Sequence, residues 1–224
     1  VLTSRVAHII KQNKAFSNQI LCVTFTNKAA REMKSRVSIM LSKNESALPW
    51  FGTFHSISAK ILRRHAEAAN LNSNFTIIDY DDQTRLIKNI SKSINIDTKK
   101  FAPRFILAKI DKWKNKGLLP NKVIPSKKDI FEIPILNIYK IYQQKLLDLN
   151  TCDFGDLILH CVNIFETHSD ILNIYCNNFK YLLVDEYQDT NFIQSKWLNL
   201  LSKKNKNICC VGDDDQSIYS WRGA

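Results

Sequence analysis

The sequence predicts an α/β protein: a parallel sheet with flanking helices, interrupted by a mostly helical insertion. Three observations predict it. Short apolar runs at residues 20–26 (ILCVTFT), 181–185 (YLLVD) and 208–211 (ICCV) are bounded by polar residues and suit buried strands. The long segment between the first run and the other two carries helical periodicity instead. Each run also leads into a polar cluster, and in open parallel sheets ligands bind at the carboxyl ends of strands. A chain of 224 residues has room for one large domain or two small ones with a real hydrophobic core.

Taken in order, residues 20–26 form the first strand. Asn27 then caps a helix whose apolar positions, Ala29, Ala30, Met33, Val37, Met40 and Leu41, trace one face. Residues 50–53 read as another short strand, followed by a helix from about residue 55 to 69. Asp79 caps a helix that carries Leu86, Ile87, Ile90 and Ile94 inward. A helix over 101–116 is punctuated by Gly117 and Pro120, and further helices follow over 134–149 and 154–165. Strand 181–185, helix 192–201 and strand 208–211 restore the α/β pattern. The organisation is α/β, then helical and basic, then α/β again, which is simplest as a parallel α/β domain with a helical insertion.

Composition narrows the partners. The apolar share of 45% and charged share of 24% are ordinary globular values, which excludes disorder and fibres. A net charge of +11 favours a polyanionic partner such as nucleic acid, nucleotide or an anionic membrane face. No run of eighteen apolar residues and no signal-peptide layout occurs, so neither a membrane-spanning nor a secreted protein is expected. The six cysteines form no CxxC pair and sit mostly in apolar stretches, which points to a reducing cytosol and no zinc. Residues 85–128 hold 13 basic residues against Asp97 and Asp111, so the whole excess lies there. Phe101, Phe105 and Trp113 are interleaved with these cations. The stretch is equally a solubilising face and a phosphate-facing surface.

The polar strand ends carry the candidate chemistry. LLVDEYQDTN (182–191) delivers Asp185 and Glu186 together from an apolar strand. Such a pair suits hydrolysis of a Mg²⁺–nucleotide, one carboxylate holding the metal's water shell and the other orienting the attacking water. Alone, an Asp-Glu pair is ordinarily a solvated acidic loop. VGDDDQSIYSWRGA (211–224) follows with Gln216, which can donate and accept beside a γ-phosphate. Tyr219 and Trp221 are either base-stacking surfaces beside Arg222 or core aromatics. VTFTNKAAREMKSRV (23–37) places Thr24, Thr26 and Asn27 at a helix start, suited to an anion or backbone contact. Arg36 flanks the apolar face of that helix, where an arginine usually snorkels to water and less often meets nucleotide. GTFH (52–55) sets Thr53 and His55 at a strand end, His55 being by default a structural histidine.

In series these stretches resemble the superfamily 1 DNA helicases of the UvrD/Rep/PcrA kind, and the resemblance covers the whole chain. TFTNKAA with EMKSRV is similar to that family's motif Ia, FGTFH to the DNA-contacting motif after it, LLVDEYQDTN to motif II and VGDDDQSIYSWRGA to motif III. TCDFGDLIL (151–159) is similar to a segment of the inserted helical domain. The resemblance implies a RecA-like motor domain, of the P-loop NTPase class, over 1–53 and 180–224, with a basic helical subdomain inserted over 54–179. It implies ATP and Mg²⁺ as cofactors. Asp185 would hold the metal through water, Glu186 would act as general base, and Gln216 and Arg36 would meet nucleotide. Phe25, Thr26, Thr53, His55, Tyr219, Trp221 and Arg222 would meet single-stranded DNA, Tyr219 and Trp221 by stacking.

The activity implied is ATP-driven 3′-to-5′ translocation with unwinding at single-strand/duplex junctions, in repair or replication and with accessory proteins. A helicase–nuclease of the RecBCD/AddAB kind shares these motifs, and a non-catalytic DNA-binding module is the other alternative. One departure matters. None of the five glycines (Gly52, Gly117, Gly155, Gly212, Gly223) is followed by Lys, so the phosphate-cradling loop is not among these residues. It is expected just before Val1, with residues 1–10 continuing its helix and the second motor domain lying beyond Ala224. The 224 residues alone are therefore expected to be inactive.

Overall fold

The computed structural model describes residues 1–126 and 129–216. The elements run α1 (Leu2–Lys11), β1 (Ile20–Thr24), α2 (Asn27–Leu41), β2 (Phe51–Thr53), α3 (Phe54–Arg64), β3 (Thr76–Ile77), α4 (Tyr80–Ser93), α5 (Pro103–Asn115), α6 (Glu132–Asp148), β4 (Thr151–Cys152), α7 (Phe154–Thr167), α8 (Ser169–Asn178), β5 (Tyr181–Val184), α9 (Phe192–Ser202) and β6 (Ile208–Cys210). They divide into two compact units, one of Val1–Lys60 with the chain from Cys161 onward, the other of Ile61–His160.

The first unit is built on a parallel sheet of order β2-β1-β5-β6. All five residues of β1 are buried, because helices cover a parallel sheet on both faces. Its register sets Cys22 beside Phe51 on one side and Leu183 on the other. Helix α2 turns Ala30, Met33 and Val37 into the core, where the Cys22 thiol donates to Met33 Sδ at 3.2 Å. Its cap is Thr26, one residue earlier than the sequence suggests: Thr26 Oγ1 accepts the Ala29 N–H at 3.1 Å. Met40, expected inward, is exposed because the helix ends there as Ser42 turns left-handed. β6 lies at the edge of the described sheet, so Ile208 and Cys210 are exposed where β1 and β5 are not.

The second unit packs α4, α5 and α6 around Ile87, Ile106, Ile110, Trp113, Tyr139 and Tyr142. Asp79 caps α4 as read from sequence, accepting the Asp82 N–H at 2.9 Å, and Ile87 and Ile90 are buried. A two-stranded parallel pair, β3 with β4, has no counterpart in the sequence reading, since two residues are too few to show alternation. Helix α3 stops at Arg64, and Ala66–Ala69 continues as a 3₁₀ turn where one helix was expected.

The residues of the basic stretch divide between core and surface. Phe101 and Trp113 belong to the core, Trp113 stacking on Tyr139 at 5.9 Å, and Phe105 alone of the three is exposed. Lys114 is buried with its Nζ 2.6 Å from Asp153 Oδ2 and 2.7 Å from Asp156 Oδ1. Lys109 pairs with Asp129 at 2.9 Å and Glu132 at 2.7 Å. Two of the cations therefore serve the fold, while Lys88, Lys92, Lys99, Lys100, Lys112 and Lys116 remain exposed.

Candidate functional site

Because the four strands are parallel, their carboxyl ends share one edge of the sheet. The ladder continues past β5: Asp185 N–H donates to Val23 O at 3.0 Å, Val211 N–H to Val184 O at 2.8 Å, and Tyr187 N–H to Val211 O at 2.9 Å. Between these anchors Glu186 adopts a left-handed conformation, φ 55°. That costs a side-chain-bearing residue roughly 1–2 kcal/mol. The kink ends the strand and leaves the Glu186 carboxylate exposed while Asp185 stays half-buried.

The two carboxylates differ in environment. Burial and the adjacent Glu186 charge push the Asp185 carboxyl above the usual carboxylate range. An acid destabilised as an anion in this way gains by meeting a cation. Among the described residues no group of three or more His, Cys, Asp or Glu side chains could hold a metal by itself. A Mg²⁺ bound through one or two carboxylates, waters and substrate phosphates fits that donor set. Thr24 Oγ1 and Asp189 Oδ1, both buried, have no hydrogen-bond partner among the described residues, which fits a site completed by water and ligand groups.

Gln216 sits in the 3₁₀ turn after β6, its Nε2 donating to Asp213 Oδ2 at 2.7 Å. Phe25 is half-buried, edge-on to Phe54 with ring centroids 5.6 Å apart. The Thr26 hydroxyl is the α2 cap, and Thr53 is buried, its Oγ1 accepting the Ser56 N–H at 3.2 Å. Each hydroxyl keeps a hydrogen to donate. Ser56 Oγ in turn accepts the Thr53 N–H at 2.9 Å, and a Cβ on Gly52 would come within 2.5 Å of that oxygen. His55, in the first turn of α3, is half-buried.

Arg36 lies on the exposed side of α2. It faces solvent beside Glu32 at 3.6 Å, with 66% of its side chain exposed. Tyr219, Trp221 and Arg222 lie outside the described residues.

Two features were missed in the sequence. One is a groove of about 440 Å³ where Asn27, Arg31 and Lys34 of α2 face Thr53 and Ser56, with Glu45 also in its wall. The spacing of 27, 31 and 34 is one helical face and could have revealed it. The other is Gln188, whose side chain joins the ends of β5 and β6.

The structure is thus an α/β protein with a parallel sheet, an acidic pair at the carboxyl end of one strand, and hydroxyls and cations beside its neighbours. The chain belongs to the UvrD/REP helicase N-terminal domain family, whose sequence model matches residues 1–224. Its fold is accordingly that of a UvrD-type RecA-like motor domain. It is 50% identical over 227 residues to the probable DNA helicase II homolog of Rickettsia conorii, covering 100% of this chain and 34% of that protein. It is 44% identical over 224 residues to the ATP-dependent DNA helicase PcrA of Staphylococcus epidermidis and 43% to that of Leuconostoc citreum, covering all of this chain and 31% and 30% of those proteins. The chain spans about a third of the length of these curated relatives. Among the described residues no helix is long and apolar enough to cross a membrane.

Proposed function

We propose that this chain is the N-terminal motor portion of an ATP-dependent DNA helicase. The whole protein would move 3′-to-5′ on single-stranded DNA and open duplex at junctions during repair or replication, in the cytoplasm. Residues 1–53 and 180–224 would form the motor subdomain and 54–179 the inserted one, with accessory proteins as further partners. The observation that carries this reading is the half-buried Asp185 beside the kinked, exposed Glu186 at the carboxyl end of a central parallel strand.

The two acids divide the work by environment. Asp185, raised toward protonation by burial and by its neighbour, would accept hydrogen bonds from water bound to Mg²⁺. Mg²⁺, when bound, neutralises charge on the β- and γ-phosphates. Glu186, exposed at the kink, would take the proton of the attacking water at its carboxylate. Gln216 would bond to the γ-phosphate from the adjacent strand end. Phe25, Thr26, Thr53 and His55 would lie along single-stranded DNA, Tyr219 and Trp221 would stack on bases, and Arg222 would hold the strand's backbone. The phosphate cradle is not encoded in these 224 residues, since no glycine is followed by Lys. Asp185 and Glu186 thus supply part of a nucleotide site. A non-catalytic binding module would have no use for a desolvated acid beside a strained one.

The test is ATP hydrolysis and strand separation by the full-length protein on duplexes with 3′ or 5′ single-stranded tails. Hydrolysis stimulated by single strands, with unwinding of the 3′-tailed duplex, is the expected result. Unwinding of only the 5′-tailed duplex, or DNA binding without hydrolysis, would overturn the reading.

A further inference from the structure

The side-chain amide of Gln188 bridges two strand ends. Its Nε2 donates to Glu186 Oε2 at 2.7 Å, and its Oε1 accepts the Asp213 N–H at 3.0 Å. Asp213 continues the chain, its Oδ2 accepting from Gln216 Nε2 at 2.7 Å and its backbone O accepting the Gln216 N–H at 3.0 Å. One hydrogen-bonded path therefore runs from the Glu186 carboxylate to Gln216. The amide has only one sensible orientation. Turned over, it would set an oxygen against the carboxylate and an N–H against an N–H.

The backbone is shaped around this contact. A Cβ on Gly212 would lie 2.6 Å from Gln188 Oε1 and 3.1 Å from the Gln188 nitrogen, so the glycine is what admits the bridge. On the other side, the left-handed turn at Glu186 and the Tyr187 N–H bond to Val211 O bring residue 188 over the end of β6.

We propose that Gln188 is a positioning residue for hydrolysis: it fixes the Glu186 carboxylate and couples it to the loop that carries Gln216. The proposal rests on the assignment of Glu186 as general base. A charged acceptor held by a neutral donor keeps its direction without losing basicity to a full positive charge. An exposed Glu on a strained turn would otherwise sample several rotamers, and misplacement of a catalytic group by an ångström is costly to rate.

The experiment uses the full-length protein with Gln188→Leu, Gln188→Glu and, in parallel, Glu186→Gln. Steady-state ATP hydrolysis with single-stranded DNA gives kcat and KM, and thermal melting reports folding. Both Gln188 variants should lower kcat about tenfold or more, within the range that positioned acid–base groups supply. KM for ATP and the melting temperature should stay near wild type. Gln188→Glu, which conserves shape, should be at least as impaired as Gln188→Leu, because its carboxylate faces that of Glu186. A space-filling role would make Gln188→Glu harmless. Wild-type kcat in both Gln188 variants, with Glu186→Gln inactive, would overturn this inference alone. Turnover by Glu186→Gln would instead remove the base assignment and the inference with it.

Discussion

Lys114 Nζ lies 2.6 Å from Asp153 Oδ2, and neither side chain is more than 2% exposed. Burial pushes the ammonium pKa down; Asp153 and Asp156 outweigh that and hold Lys114 charged. Tyr142 OH donates to Asp153 and Gln143 Nε2 to Asp156, so the cluster ties α5, α6 and the start of α7 together. Lys114→Met leaves two buried carboxylates without their cation and should cost about 3–5 kcal/mol. Urea unfolding of the chain measures this. Adding Asp153→Asn and Asp156→Asn to Lys114→Met should recover part of the loss, and a wild-type midpoint for Lys114→Met would show that the cluster holds nothing.

His160 stands beside this cluster, with its Nε2 3.9 Å from Asp156 Oδ1. Burial pushes the imidazolium down, outweighing the pull of Asp156, so the folded value lies below 6.5. The unfolded chain therefore takes up the proton first as pH falls. The stability His160 contributes is complete above pH 6.5 and is lost as pH drops toward the folded value. Asp156, which Lys114 and His160 hold low against the effect of its burial, adds a second loss below its ordinary 3.8. His160→Gln should flatten the stability curve on the acid side of pH 6.5. A curve as steep as wild type would contradict the buried neutral imidazole.

Lys112 and Lys116 are exposed one turn apart, whereas Lys109 and Lys114 are neutralised within the fold. If this face meets DNA, Lys112→Glu with Lys116→Glu in the full-length protein should weaken junction binding. It should also reduce the slope of log affinity against log salt by roughly 1–2, as fewer counterions are released. An unchanged slope assigns the charge to solubility.

The 224-residue chain, assayed alone, should show no DNA-stimulated phosphate release. Phosphoryl transfer needs a backbone cradle with its Lys, a held metal and a cation for the transition-state charge, and this chain supplies part of the second. Release abolished by Glu186→Gln in the isolated chain would contradict that.

The parallel sheet and its polar edge were legible because buried strands and their termini have sharp local signatures. Residues 20–26 and 181–185 read as strands, and the structure ends them slightly earlier, at Thr24 and Val184. The fate of the basic stretch was not legible. Lys114 looks like its neighbours in sequence, and only the fold brings Asp153 and Asp156, some forty residues later, onto its ammonium. Trp113 and Phe101 likewise alternate with cations along the chain but fall on the inner face of α5 and its approach. At the site, the acids were visible as a pair, but their unequal environments were not. The left-handed turn at Glu186 is a product of the ladder bonds on either side of it. Gln188 stood inside the motif without a role, because the contact that gives it one crosses to another strand.

The most direct test is steady-state ATP hydrolysis by the full-length protein carrying Glu186→Gln, with nucleotide binding measured on the same sample. The substitution keeps shape and one hydrogen-bonding oxygen but cannot accept the proton of the attacking water. Turnover should be abolished while ATP binding stays close to wild type. Near-normal turnover would contradict the assignment of Glu186 as the base at the end of β5.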